Sequence, residues 1–263
     1  MTIDSQPDIP PSDDSSDDTH PPEDHRTRTA ARRREQMRRR LLESAMLVFA
    51  EKGVDASVID DVISTAGVSR GTFYKYFASN RDLMVAANDE LCKELLSYVL
   101  DRVSEFSDPA VRAAIGARTF LETALAFPLL ARFTRSVGLE SRGPTALLYE
   151  YLPHQLREGI DQGRFLDMPT QVALDLISGG VLLCIARATD EEIEPGYTHH
   201  VVAAALRGLG LEESEAWALA NQDIAPLEVP EDSLLWRSNQ RFRARDSQSD
   251  ATPETQPRRG AAR

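Results

Sequence analysis

The sequence predicts an all-α protein. Three observations predict it: apolar residues recur at three- and four-residue spacing through the body of the chain, Gly and Pro fall at intervals suited to helix ends, and no alternating period-two run survives six residues. The elements follow in order. Residues 35–52 place Leu41, Leu42, Ala45, Val48 and Phe49 on one face, and Gly53 stops that helix as a C-terminal glycine. Ser57 with Asp60 forms a capping box for a helix over 58–66, which Gly67 ends. Ser69 caps a short helix over 70–77. Ser79 with Asp82 makes a second capping box, opening a long helix from Asn80 to about Phe106. Further helices are expected over 109–126, 128–137, 144–162, 169–188 and 197–209, with a last one over 212–221. Residues 1–28 are rich in Pro, Ser and Asp, cannot offset their ordering entropy, and are expected to form a disordered acidic tail. Residues 226–263, polar and Arg-rich toward the end, are expected to be mostly disordered as well.

The chain has 263 residues, 41% hydrophobic and 27% charged, which places its bulk in the soluble globular class. The longest apolar run, 179–186, is shorter than the ~18 residues a spanning helix needs, so no membrane segment is expected. The acidic opening is the opposite of a secretory signal, and the cytoplasm is the expected compartment. Cys92 and Cys184 have no partner at redox or metal-ligand spacing and read as core thiols.

The net charge of −12 hides a segregation. Residues 1–24 carry eight acids and no Lys or Arg, whereas 25–90 carry twelve Lys or Arg against nine acids, a sum of +3. Residues 91–236 sum to −11 and 237–263 to +4. One compact region is therefore basic within an acidic protein, and it is the region with the most specific motif.

That motif is VIDDVISTAGVSRGTFYKYF, residues 58–77: a helix, a Gly-Val-Ser turn and a second short helix. This is helix-turn-helix spacing, in which Val62, Val68 and Phe73 pack the pair while the second helix turns its first residues outward. Ser69, Arg70, Gly71 and Thr72 are short or hydrogen-bonding and suit base edges; Lys75 suits phosphate, and Tyr74 and Tyr76 bring hydroxyls to the sugar-phosphate backbone. Just upstream, Arg26, Arg28, Arg32, Arg33, Arg34, Arg38, Arg39 and Arg40 are interrupted by one acid, Glu35. Such a density attracts phosphates by counterion release, and a flexible arm of this kind can lie in a narrow minor groove.

From about residue 38 to 83 the chain resembles the N-terminal DNA-binding domain of the TetR/AcrR family of bacterial transcriptional regulators, through its Ala-Gly-Val-Ser turn and its Phe-Tyr-Lys-Tyr-Phe helix. The resemblance implies base-edge contacts near Arg70, Gly71 and Thr72 and phosphate contacts from Tyr74 and Tyr76. Two departures stand out. The family usually opens its second helix with Thr, where this chain has Val58, and Ser57 is expected to supply the hydroxyl. The family favours Lys at the start of the fourth helix, where this chain has Asn80, and Arg81 is expected to take over that charge. The expected division is 29–80 for the DNA-binding domain with its basic arm and 81–225 for a helical effector-binding and dimerisation domain.

Two helices of the larger domain are apolar nearly all round and must bury two faces. One carries Leu176, Gly180 and Val181; the other carries Val202, Ala205, Leu206 and Leu209, and small residues permit close helix approach. They read as half of a two-fold four-helix interface, with burial within one subunit as the competing reading, and the resemblance implies the homodimer. Two reading heads related by a two-fold meet successive major grooves ~34 to 36 Å apart, which predicts a palindromic double-stranded operator. The resemblance also implies a small-molecule effector, and the apolar cluster Phe120, Leu125, Phe127, Phe133 and Tyr149, with Pro128 breaking the helix inside it and His154 nearby, is the candidate lining for a hydrophobic or amphipathic ligand. Ordinary core packing is the competing reading for any one of them.

No H-x-x-x-H, P-loop or nucleophile elbow with the right spacing occurs, so no enzyme activity, cofactor or metal is expected. The expected function is a regulator, more naturally a repressor, released from its operator by an effector. The competing function is an effector-independent protein that binds DNA mainly nonspecifically.

Overall fold

The computed structural model describes residues 25–53, 58–137 and 151–250, and among them every regular element is a helix. In chain order these are α1 (His25–Lys52), α2 (Ile59–Ala66), α3 (Arg70–Tyr74), α4 (Asn80–Val103), α5 (Pro109–Ala126), α6 (Pro128–Val137), α7 (Leu152–Asp161), α8 (Thr170–Ala188), α9 (Tyr197–Gly208), α10 (Glu213–Ala220) and α11 (Leu234–Asp250). The chain forms two units, residues 1–36 and 37–263; the described part of the first is the opening of α1.

Two expectations are corrected. α1 begins at His25, so residues 25–28 and the basic run that follows are helical, not a disordered or flexible arm. Its Ala, Gln, Met and Arg content favours helix. Likewise, 234–250 is not a disordered tail but α11, whose Leu234, Leu235 and Phe242 are buried. α2 begins at Ile59 with Val58 at its N-cap and no side-chain cap, and Ser57, expected to cap it, lies outside the described residues. α3 is shorter than expected, ending at Tyr74 with Lys75 as its C-cap.

Local chemistry explains the remaining boundaries. Gly67 adopts φ 60°, and its N–H and that of Val68 close the end of α2 on the carbonyls of Ser64 and Ile63, at 3.1 Å each. The side chains of Ser69 and Ser79 accept from the N–H groups of Thr72 and Asp82, capping α3 and α4. Asp108 caps α5 through the Ala110 N–H at 2.8 Å, with Pro109 in the first turn.

α5 sits at the centre of the larger domain, against α4, α7, α8, α9 and α10. At Phe127–Pro128 the chain turns through 105° from α5 into α6. The Arg164 guanidinium reaches Asp108 at 2.9 and 3.1 Å and Glu215 at 2.6 Å, tying the start of α5 to α10. α8 is long and apolar enough, by length and composition, to cross a membrane, although its uninterrupted apolar run is short. Here one side of it is packed on α6, α7 and α9, with Ala173, Ile177, Cys184 and Ile185 buried.

Candidate nucleic-acid interface and effector domain

The α2–turn–α3 pair is held by Val62 and Phe73, both fully buried, with Phe77 nearly so. This leaves Ser69, Arg70, Gly71, Tyr74 and Lys75 exposed and Thr72 half-buried. Tyr74 stands edge-on to Phe73 with ring centroids 5.3 Å apart, so its ring is braced while its hydroxyl end is free to reach outward. Tyr76 is half-buried with its ring against the core. Arg81 is exposed in the first turn of α4. Ser69 and Thr72 hydroxyls lie 2.9 Å apart, so both are oriented by the cap before any ligand arrives.

Sequence reasoning missed the partner of Arg70. The Asp60 carboxylate in the first turn of α2 binds its guanidinium and holds its pKa above the ordinary value, first by the hydrogen bond and then by charge. Helix-turn-helix packing brings the first turns of the two helices together, so an acid at that position was the available signal. A second acid there, Asp61, pairs with Lys52 at 2.7 Å. Arg40 lies against the turn: a Cβ on Gly67 would stand 2.9 Å from its Nη2.

Arg33 and Arg34 are exposed on the opening stretch of α1. Because that stretch is a helix of ~10 Å diameter, it does not fit a minor groove ~6 Å wide.

The expected dimer set divides in two. Val181, Val202, Leu206 and Leu209 are buried within the subunit, and Gly180 faces Val201 of α9, 3.7 Å from where a Cβ would sit. These four residues are intramolecular core, a correction with a simple cause: a helix apolar on all sides does not reveal which face meets its own subunit. Ala205 is half-buried. The open stripe of α8 is Val172, Leu176, Gly179 and Leu183, spaced one turn apart, with Leu183 62% exposed and nothing within 4 Å of a Cβ on Gly179.

Of the expected effector lining, Phe133 is fully buried, Phe127 nearly so, and Phe120 and Leu125 half-buried. Tyr149 lies outside the described residues. His154 faces solvent on α7 and leaves the candidate set. Two residues that the sequence did not single out take its place. Thr119 Oγ1 on α5 and Gln155 Oε1 on α7 are buried without a hydrogen-bond partner among the described residues, and α5 packs on α7. Buried polar atoms left unpaired are costly and mark places where a water or ligand belongs.

A helix-turn-helix head joined through one continuous core to a larger helical domain is the architecture of a DNA-binding regulator. Residues 41–87 match the family model described as bacterial regulatory proteins, tetR family, and residues 108–222 match the tetracyclin repressor-like C-terminal domain. The chain belongs to the tetR family of bacterial regulatory proteins. Among relatives, it is 38% identical over 63 residues to the uncharacterized HTH-type transcriptional regulator YvdT of Bacillus subtilis, covering 24% of this chain and 30% of that one. It is 34% identical over 68 residues to the HTH-type transcriptional repressor KstR2 of Mycobacterium tuberculosis, covering 26% and 32%. The matched segment thus spans about a third of the length of these relatives. Among solved structures, RolR in complex with the ligand resorcinol superposes with a TM-score of 0.61 at 25% identity, covering 75% of this chain and all of that one. A TetR family transcription regulator from Marinobacter aquaeolei shares the fold, with a TM-score of 0.57 at 18% identity, covering 68% and 98%.

Proposed function

We propose that the chain is a cytoplasmic, homodimeric transcriptional repressor that binds a two-fold symmetric operator and is released from it by a small effector. The observation that carries this reading is the braced α2–α3 pair, with Ser69, Arg70, Gly71, Thr72, Tyr74 and Lys75 on the outer side of a core sealed by Phe73. Arg70, Gly71 and Thr72 read base edges, with Arg70 leaving Asp60 for a guanine edge or phosphate; Ser69, Tyr74, Lys75, Tyr76 and Arg81 set register on the backbone, joined by Ser57 and by Arg33 and Arg34 of α1. Exchanging the Asp60 carboxylate for guanine O6 and N7 or for a phosphate keeps the Arg70 guanidinium hydrogen-bonded throughout.

The second copy covers the α8 stripe of Val172, Leu176, Gly179 and Leu183, the largest exposed apolar side chains being otherwise scattered. The effector enters between α5, α6 and α7, where Phe120, Leu125 and Phe127 offer apolar surface and Thr119 and Gln155 offer unpaired polar atoms. A small ring bearing hydroxyl groups suits that mixture, and resorcinol, bound by RolR, is the first probe to use. No chemistry on the effector is part of this function.

A footprinting titration on the DNA flanking the gene, at two salt concentrations, tests the reading. A saturable footprint with two-fold symmetry supports it, and loss of that footprint on adding resorcinol supports the effector class. Protection that spreads without boundaries and fades with modest salt overturns it in favour of nonspecific coating.

A further inference from the structure

The C-terminal helix lies beyond both family-matched segments, yet it touches each part of the molecule that a ligand-responsive regulator has to connect. Its first turn is capped from α4: the Glu94 carboxylate accepts from the Leu234 and Leu235 N–H groups at 2.6 and 3.1 Å. Its middle grips the corner between α5 and α6. Asn239 Oδ1 accepts from the Leu129 N–H at 3.3 Å, the Trp236 ring meets Phe127 edge-on with centroids 6.1 Å apart, and Arg243 donates to the Ala126 carbonyl at 3.1 Å. Arg132 of α6 stacks over Phe242 at 4.9 Å.

The other side of the same helix holds the reading head. Glu43 of α1, 4% exposed, receives Arg237 at 2.6 Å and Arg241 at 3.1 Å on its two oxygens. Arg245 donates to Thr65 of α2 at 3.2 Å and lies 3.6 Å from Glu51 of α1. Residues 41–49 of α1 are buried without exception, which an amphipathic surface helix never is; with α11 supplying charge partners on one side, Glu43 tolerates that burial.

We propose that α11 is a strap that fixes the reading head to the α5–α6 corner, with Glu43, Arg237, Arg241 and Arg245 as the positioning residues that set the angle of each head within the dimer. It deepens the regulator reading and rests on it for the meaning of that angle. Two linked heads bind together only as well as their spacing matches the operator, so a loose strap lowers the effective concentration of the second head without altering what one head can do. Movement at the effector corner reaches α1 and α2 through the same contacts.

Two full-length variants test it. Arg245→Ala removes a half-buried guanidinium from α2; the triple variant Glu43→Gln/Arg237→Ala/Arg241→Ala removes the ion pairs without stranding a buried charge. Hydrogen exchange on the DNA-free proteins is expected to become about tenfold faster across 59–74, with 173–185 unchanged. Unchanged exchange, or an equal rise everywhere, overturns the strap. On the duplex that wild-type protein selects from random sequence, the variants are expected to lose about tenfold in affinity for two half-sites, while affinity for one half-site stays within about twofold. Equal losses on both, or none, overturn the positioning role. If wild-type protein selects no duplex, the regulator reading falls, and hydrogen exchange still decides the strap.

Discussion

Tyr74 shows what a single residue owes to its neighbours. Its ring is braced by a buried Phe73 and its hydroxyl is the one group that Tyr74→Phe removes. Binding is expected to weaken by about 1 to 2 kcal/mol per head on every sequence alike, measured as parallel shifts across operator and nonoperator duplexes, because phosphate contacts position and do not specify. Loss confined to one base pair contradicts that role. Asp108 makes a matching case for stability. Burial pushes its carboxyl up, but the Arg164 guanidinium and the Ala110 N–H outweigh burial and hold it below the usual carboxylate range. A depressed carboxylate stabilises the fold above its unfolded value and loses that contribution as pH falls through the folded one. Asp108→Ala is therefore expected to cost about 1 kcal/mol in chemical denaturation at neutral pH, with the gap to wild type closing below about pH 4. The Ser69 and Ser79 caps and the Gly67 turn were legible because their partners lie within a few residues. The Asp60–Arg70 and Glu43–Arg241 pairs were not, since a linear sequence does not say which distant acid a given Arg will meet.

At the scale of elements, the helices over 109–126 and 169–188 were legible almost to the residue, through Asp108-Pro109 in one and a dense apolar run in the other. The faces were less so. Both sides of α8 are apolar, and only packing shows that Ile177 and Val181 turn inward while Leu176 and Leu183 turn out. Leu183→Glu is accordingly expected to give a folded monomer, with dimerisation weakened by about 2 kcal/mol or more, read as solution mass by multi-angle light scattering alongside an unchanged helical spectrum. A dimer that persists removes α8 from the interface. α11 was missed for the opposite reason: its four arginines and sparse apolar positions read as a solvated segment, because the acidic and aromatic groups that make it a helix come from α1, α4 and the α5–α6 corner.

For the whole molecule, charge segregation was legible from the outset, and it carries a prediction. Residues 1–24 sum to −8 and precede the arginines of α1, and the prediction is that the acidic stretch competes with DNA for them. Deleting 1–24 is expected to tighten DNA binding at low salt and to leave it nearly unchanged at high salt, where screening shortens the reach of both partners. Equal affinities at low salt contradict the competition. The segments matched by the two family models, 41–87 and 108–222, fall on the specific motif and on the run of amphipathic helices. The pairing of Glu43 with Arg241 adds a temporal order. These groups are 198 residues apart in sequence, so during translation the nascent head emerges with Glu43 still waiting, hydrated, for arginines that the ribosome has not yet added. The first domain to appear is the last to be completed, and a chain released early would carry the reading motif without the closure that finishes its fold.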